Sequence, residues 1–202
     1  MTWRRRPVIY EIATFVWLNE LRVQYGQALT LATIPAEEWN ALAKLDVDAV
    51  WLMGVWERSP AGIAVSNVHA DLQAEFRRVL PDYRPKDNLG SAYCVRDYVV
   101  AAELGGPSAL AHARDELNAR GLRLVLDFVP NHVAIDHPWG LQHPEYFIRG
   151  SYEDLARAPN DFVDVKGEVY AHGRDPYFPP WGDVIQVNAF NAGLRAAAID
   201  TV

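Results

Sequence analysis

Several residue types are scarce in this sequence, and each shortage excludes a class of protein. Cys94 is the one cysteine among 202 residues, so an internal disulfide framework is excluded. Nineteen basic against 26 acidic residues give a net charge of -7, which argues against nucleic acid or an anionic membrane as the main partner. No uncharged run reaches membrane-spanning length. We expect a cytoplasmic protein, and the composition leaves its oligomeric state open.

The amino terminus raises the alternative of a signal peptide. A basic start, 2–6, is followed by the largely apolar run 8–18. Pro7 and Glu11 interrupt this pattern, and no small-residue cleavage site follows it. We therefore interpret the run as a strand.

Strand-like and helix-like segments alternate along the first 130 residues. The sequence predicts strands over 8–12, 48–55 and 121–129, and helices over 35–45, 67–80 and 107–117. The strands are apolar nearly throughout, which is typical of a parallel sheet covered on both faces. No glycine-rich turn follows the first strand, so a closed barrel is favoured over an open dinucleotide-binding sheet.

Regular patterning fades between Pro130 and Ile185, where six prolines occur among glycines and aromatic residues. A structureless segment of this length predicts an irregular subdomain, inserted after the third strand to cover the site. A helical pattern returns over 192–202 without a capping glycine or a stop proline. Because three strands cannot close a barrel, we expect an incomplete domain that is poorly soluble and loosely packed by itself.

The third strand ends in polar side chains that are candidates for function. Asp127, Asn131 and His132 follow its apolar core, and α/β barrels place their chemistry at the carboxyl ends of their strands. A zinc site made by His132 with other nearby histidines is an alternative. Its spacing fits no helical pair and prolines interrupt the segment, so zinc is disfavoured.

Five further observations come from the segments 7–12, 48–53, 90–98, 127–132 and 184–188. Taken in order, these segments resemble the N-terminal part of the catalytic domain of the α-amylase family of glycoside hydrolases, and the match runs over essentially the whole chain. The resemblance implies an α/β fold: an incomplete TIM-type (β/α)8 barrel of about the first three strands, with an irregular subdomain after the third. The implied domains are three β/α units over 1–129, the inserted subdomain over 130–187, and the truncated start of the third barrel helix over 188–202.

The resemblance also assigns roles to individual side chains. Tyr93 would stack beneath the sugar ring at the bond to be cleaved, and His132 would hydrogen-bond the hydroxyls of that sugar. Asp127 would hold an arginine from the fourth strand. Asn131 would orient the inserted subdomain, in many relatives by binding calcium. Asp97, close to Tyr93 in the sequence, is expected to support the site.

Gln186 departs from the family pattern. It is a neutral amide where calcium-binding relatives tend to carry an acid, and calcium prefers charged oxygen ligands. We therefore expect no tight calcium site at Asn131, and no required cofactor.

The implied chemistry is retaining cleavage of an α-glucan or α-glucoside. Such cleavage uses a nucleophilic carboxylate and an acid/base carboxyl about 5–5.5 Å apart. In the family these groups come from strands four and five, whose segments this sequence lacks, so we expect the chain alone to be inactive. The alternative is a non-catalytic remnant with at most weak saccharide binding. Hydrolysis or transfer, and the linkage cleaved, stay open.

Overall fold

A computed structural model describes residues 3–201 of the chain, which forms two compact units. Unit 1 comprises Met1–Glu57 and Val99–Asp127, and unit 2 comprises Arg58–Tyr98 and Phe128–Val202. Within residues 3–201, no helix has both the length and the apolar character needed to cross a membrane. Strands and helices are both abundant, so the predicted α/β class is confirmed.

The helices and strands follow one another in a mixed order. In chain order they are β1 (Ile9–Ala13), α1 (Thr14–Tyr25), α2 (Ala36–Ala43), β2 (Ala49–Met53), β3 (Trp56–Arg58), α3 (Pro60–Val68), α4 (Ala70–Val79), β4 (Val95–Val100), α5 (Gly106–Ala119), β5 (Arg123–Val125), β6 (His132–Ala134), α6 (Trp139–Gln142), α7 (Tyr152–Arg157), β7 (Phe162–Val165), β8 (Glu168–Gly173), β9 (Trp181–Gln186) and α8 (Ala192–Thr201). Single turns of 3-10 helix occur at Pro85–Asp87, Ala102–Leu104 and Pro144–Tyr146.

Unit 1 contains a parallel sheet with the strand order β1-β2-β5. The predicted parallel arrangement is confirmed, although β5 is only three residues long and ends well before residue 129. The expected covering of both faces is wrong for β1, where Ile9 and Tyr10 are 47% and 45% exposed. The reason is that β1 is an edge strand: among residues 3–201 it pairs in this sheet with β2 alone.

The strand predicted over 8–12 is confirmed as β1, whereas the rest of the apolar run, to residue 18, lies in a helix that was not predicted. The strand ends at Ala13, and α1 begins at Thr14 with no side-chain cap at its start. Leu18 and Leu21, spaced three residues apart, put one face of α1 into the core of unit 1. This core also contains Trp39 of α2, which is completely buried.

Unit 2 contains a four-stranded antiparallel sheet with the order β6-β9-β8-β7. The segment 130–187 is therefore not irregular, and this part of the prediction is wrong. Its prolines lie outside these strands, in the connecting segments, because proline cannot donate a backbone hydrogen bond to a ladder. The pairing joins distant segments: His132 of β6 lies opposite Gln186 of β9.

The helix predicted over 67–80 is confirmed as α4, which begins at Ala70, whereas the preceding helix α3 was not predicted. His69, with φ of -78° and ψ of 110°, is extended and separates α3 from α4. Its Nδ1 accepts a hydrogen bond from the backbone N–H of Leu72 at 3.4 Å, which caps the second helix. The predicted helix over 192–202 is confirmed as α8 up to Thr201, and its last residue lies outside the described residues.

Candidate functional site

Both residues expected to contact substrate line one cavity in unit 2. The cavity has a volume of about 600 Å³, and Tyr93 and His132 contribute to its wall. The rest of the wall comes from α3, α4, the segment before β4, Val129 and the start of β9. A volume of several hundred Å³ is typical of small-molecule sites. The structure therefore brings Tyr93 and His132 to one site.

A hydrogen bond links these two residues directly. His132 Nε2 lies 3.2 Å from the backbone oxygen of Tyr93, while the Tyr93 side chain is 41% exposed. The other ring nitrogen, Nδ1, lies 3.2 Å from the side-chain amide nitrogen of Asn131. A neutral ring that donates from Nε2 and accepts at Nδ1 satisfies both contacts. A sugar hydroxyl that bonds to His132 would therefore have to replace the Tyr93 carbonyl or the Asn131 amide as a partner of the ring.

The protonation state of His132 follows from its surroundings. Burial lowers the pKa of His132 below its ordinary value of 6.5, and this effect exceeds the opposing influence of the Tyr93 carbonyl and of the Asp183 carboxylate. The ring is thus neutral at neutral pH. A neutral ring at this place can form hydrogen bonds but carries no charge.

Two further residues of the cavity were not identified from the sequence. The ring of Trp181 meets the ring of His132 edge to face, with centroids 5.3 Å apart, and Asp183 also lines the cavity. Both lie on β9, directly before the segment 184–188 that carried the resemblance. Among the described lining residues, Asp183 is the one carboxylate. The pattern Trp-Gly-Asp at the start of an apolar strand was the available signal.

Cys94 also lies in the cavity wall, and it is packed tightly. It is 2% exposed, and its Sγ donates a hydrogen bond to the backbone oxygen of Asp183 at 3.3 Å. A Cβ atom added at Gly62 would lie only 2.6 Å from this sulfur. Burial, as the largest influence, raises the pKa of the thiol well above its usual range. The thiol is consequently protonated and acts as an apolar packing group.

Asn131 is held by Gln186, the residue that departs from the family pattern. The Gln186 Nε2 group donates to the backbone oxygen of Asn131 at 2.7 Å and to its Oδ1 at 2.9 Å. Asn131 Nδ2 in turn donates to the backbone oxygen of Arg174 at 3.2 Å. A calcium ion bound here would need the same two oxygens of Asn131 that accept hydrogen bonds from the Gln186 amide. The residues present therefore do not fit calcium.

Asp127 belongs to unit 1, where it is buried and well bonded. Its Oδ1 accepts from Trp51 Nε1 at 2.9 Å, and its Oδ2 accepts from the backbone N–H of Gly54 at 2.6 Å. Its backbone oxygen accepts from Trp56 Nε1 at 2.9 Å. Gly54 has φ of 76°, a left-handed conformation in which glycine is favoured. Asp127 thus joins the ends of β2 and β5 within this unit.

Asp97 lies on β4 in unit 2, near a cluster of charged residues. Asp136 accepts from Ser59 Oγ at 2.5 Å and pairs with Arg96, whose Nε lies 3.8 Å from Oδ2. His137 is buried beside this cluster, and burial lowers its pKa to about 4 although Asp97 and Asp136 oppose the shift. Asp97 therefore acts on His137 through charge.

Comparisons with known proteins place this geometry in context. No family model matches the chain. Over 70 residues it is 34% identical to the probable oligo-1,6-glucosidase 2 of Bacillus subtilis (strain 168), a match covering 34% of this chain and 12% of that protein. Over 196 residues it is 24% identical to an α-glucosidase of Culex pipiens, covering 88% of this chain and 28% of that protein.

Solved structures give a fuller match. An α-amylase from Lactobacillus plantarum superposes with a TM-score of 0.61 at 18% identity, covering 96% of this chain and 35% of that one. The chain thus spans about a third, or less, of the length of the proteins it matches. The structural neighbours are α-amylase-family enzymes, and the shares covered are consistent with an N-terminal portion. The chain therefore has the α/β fold of the N-terminal part of the α-amylase-family glycoside hydrolases.

Proposed function

We propose that this chain contributes one wall of the substrate cleft of an α-glucoside-active, retaining glycosidase. The observation that carries the proposal is the cavity that Tyr93, His132 and Trp181 share. Sugar rings present flat C–H faces that pack on aromatic rings, while their hydroxyls need polar partners. The names of the curated relatives, an oligo-1,6-glucosidase and an α-glucosidase, support a substrate of this class.

The domain organisation that we propose is that of the resemblance. Residues 1–129 form three β/α units of a (β/α)8 barrel, 130–187 form the inserted subdomain over the cleft, and 188–202 begin the third barrel helix. The strand order β1-β2-β5 and the exposed residues of β1 support this assignment. An edge strand that exposes apolar side chains has room for further strands beside it.

Each site residue has a proposed part in the reaction. Tyr93 stacks beneath the sugar ring, and Trp181 extends the aromatic surface. His132 exchanges its bond to the Tyr93 carbonyl for one to a sugar hydroxyl. Asp127 retains lone pairs beyond its two present bonds and uses one to hold an arginine from a fourth strand. Asn131 and Asp97 keep the cavity wall in place.

The covalent chemistry needs two carboxyl groups about 5–5.5 Å apart, one as nucleophile and one as acid and base. Asp183 is the single carboxylate among the described residues of the cavity wall. We propose that both catalytic carboxyls come from barrel segments that this sequence does not contain. The chain by itself binds saccharide but does not cleave it.

A binding measurement tests the proposal. Maltose titrated into the chain should change its tryptophan fluorescence in a saturable way, because Trp181 lines the cavity. Tyr93→Ala should weaken binding about fivefold to tenfold, which corresponds to the roughly 1 kcal/mol expected of one aromatic stacking contact. Tyr177→Ala is the matched control, since Tyr177 is 88% exposed and does not line this cavity. No saturable signal, or equal losses in the two variants, would contradict the proposal.

A second candidate is a non-catalytic remnant with weak saccharide binding. The single carboxylate in the described cavity wall favours it. Both candidates predict no turnover of maltooligosaccharides or of an activated α-glucoside by this chain, and turnover above the enzyme-free rate would count against both. The coding sequence downstream of residue 202 separates them: an Arg-x-Asp segment soon after it supports the enzyme, and a stop codon supports the remnant.

A further inference from the structure

A second groove in unit 2 adjoins the cavity that contains Tyr93. It has a volume of about 520 Å³. Four residues line both spaces, which therefore lie side by side: Ser66, Leu72, Ser91 and Asp183. The groove runs along α4 and the segment 87–91.

The wall of this groove is largely apolar. Leu72, Phe76, Val79 and Leu80 recur at helical spacing along α4 and its end, and Leu89 contributes from the following segment. Val79 is 74% exposed and Leu80 is 43% exposed, although each is a large apolar side chain. A row of exposed apolar side chains beside a small-molecule cavity is a binding surface for apolar groups.

Several polar side chains of the groove already have protein partners. Asn88 Nδ2 donates to Ser66 Oγ at 2.7 Å, and Asn88 Oδ1 accepts from the backbone N–H of Gly90 at 2.9 Å. Arg58 Nη1 donates to the backbone oxygen of Gly90 at 3.0 Å, and Asp87 accepts from the backbone N–H of Arg84 at 2.7 Å. A second sugar in this groove would have to compete for these groups to satisfy its hydroxyls, at a cost in free energy.

We propose that the groove binds an apolar aglycone, an alkyl or aryl group joined to the glucose that occupies the cavity. This inference rests on the proposed function and narrows its substrate class to α-glucosides with an apolar leaving group. The sugar meets Tyr93, His132 and Trp181, and the aglycone passes Leu72 and lies along Val79.

The expected effect follows from the burial of methylene groups. Each methylene removed from water contributes about 0.8 kcal/mol, which is about a fourfold gain in affinity. Butyl α-glucoside has three methylenes more than methyl α-glucoside. Full burial of all three would tighten binding about 60-fold. Partial burial, as expected in an open groove, should still give at least about tenfold.

The test measures dissociation constants of the 202-residue chain for methyl α-glucoside, butyl α-glucoside and maltose by isothermal titration calorimetry. The expected result is a butyl-to-methyl gain of at least about tenfold. Val79→Ser should reduce this gain, because it replaces an apolar side chain of the groove with a polar one. Val79 is largely exposed, so the variant should fold. Val23→Ser, at a 77% exposed position of α1 outside the groove, should leave the gain unchanged.

The outcomes separate the inference from the proposed function. Methyl α-glucoside and maltose could bind while butyl α-glucoside binds less than about threefold more tightly than methyl α-glucoside. That gain is smaller than the effect of one buried methylene, and it would overturn the inference alone. A butyl gain that Val79→Ser leaves intact would overturn the assignment to this groove. No binding of any of the three ligands would overturn the proposed function, and the inference with it.

Discussion

His137 should make the stability of the protein depend on pH. It is 4% exposed, and its Nδ1 accepts the backbone N–H of Trp139 at 3.1 Å. Burial lowers its pKa from 6.5 to about 4, against the opposing charges of Asp97 and Asp136 and with a smaller contribution from Arg96 in the same direction as burial. The folded protein thus keeps this ring neutral where the unfolded chain would protonate it.

The direction of the effect follows from linkage. Between pH 6.5 and pH 4 the unfolded chain binds a proton at this ring and the folded chain does not. The contribution of the neutral ring to the free energy of unfolding is therefore fully present above pH 6.5 and is lost as the pH falls from 6.5 to 4. One pKa unit corresponds to about 1.4 kcal/mol, so the full loss is about 3 kcal/mol. About 2 kcal/mol of it should have been lost by pH 5.

A matched pair of variants isolates this contribution. His137→Asn keeps a hydrogen-bond acceptor near the Nδ1 position but cannot titrate. Between pH 7 and pH 5 this variant should therefore lose about 2 kcal/mol less stability than the unaltered protein. Asn118→Ala, at an exposed residue of α5 that does not titrate, should keep the dependence of the unaltered protein. Urea unfolding followed by tryptophan fluorescence gives the stabilities, and NMR titration of the imidazoles gives the pKa directly. A measured pKa of 6 or above for His137, or parallel pH profiles for both variants, would refute the reasoning.

Two other predictions concern Asp127 and calcium. Asp127→Ala leaves two N–H donors of unit 1 without their carboxylate, and should cost about 3–5 kcal/mol in urea unfolding; Asp115→Ala, at an exposed carboxylate, should stay within about 0.5 kcal/mol, and equal effects would contradict the role of Asp127. Calorimetric titration with calcium should give no micromolar binding, because the Gln186 amide occupies the oxygens of Asn131, and a stoichiometric micromolar site would disprove this.

The elements that the sequence predicted best are those whose signals are local. Pro35 and two acids mark the start of α2, and Gly121, with φ of 80°, follows the end of α5. The side chains of β2 are apolar on both faces of the sheet, as a central parallel strand requires. Each of these signals acts within a few residues of the chain, which is why it can be recognised without the structure.

The elements that were missed depend on distant residues or on weak local signals. β6 pairs with β9, which lies about fifty residues away, and short strands take their stability from such partners rather than from their own propensity. α1 starts directly after β1 without a capping side chain, so the sequence gave no sign of a helix start at Thr14. α3 was also missed, and His69 separates it from α4, the helix that was predicted.

The candidate site was predictable in part for the same reason. Tyr93 and His132 were identified through the motifs around them, and they share one cavity. Trp181 and Asp183 were missed because their place in the wall depends on the register of β9 with its neighbours, which the sequence does not encode locally. The partners of Gln186 could likewise not be predicted, although the residue itself was recognised as a departure.

The packing of Cys94 makes this protein convenient for site-specific chemistry. A protonated sulfur enclosed by Gly62 and β9 will not react with maleimides or iodoacetamide under native conditions. Phe190→Cys, at a position that is 94% exposed, would then be the site that takes up a fluorophore or a spin label. Distances to this position, and its motions, can be followed in this way without first removing the native thiol.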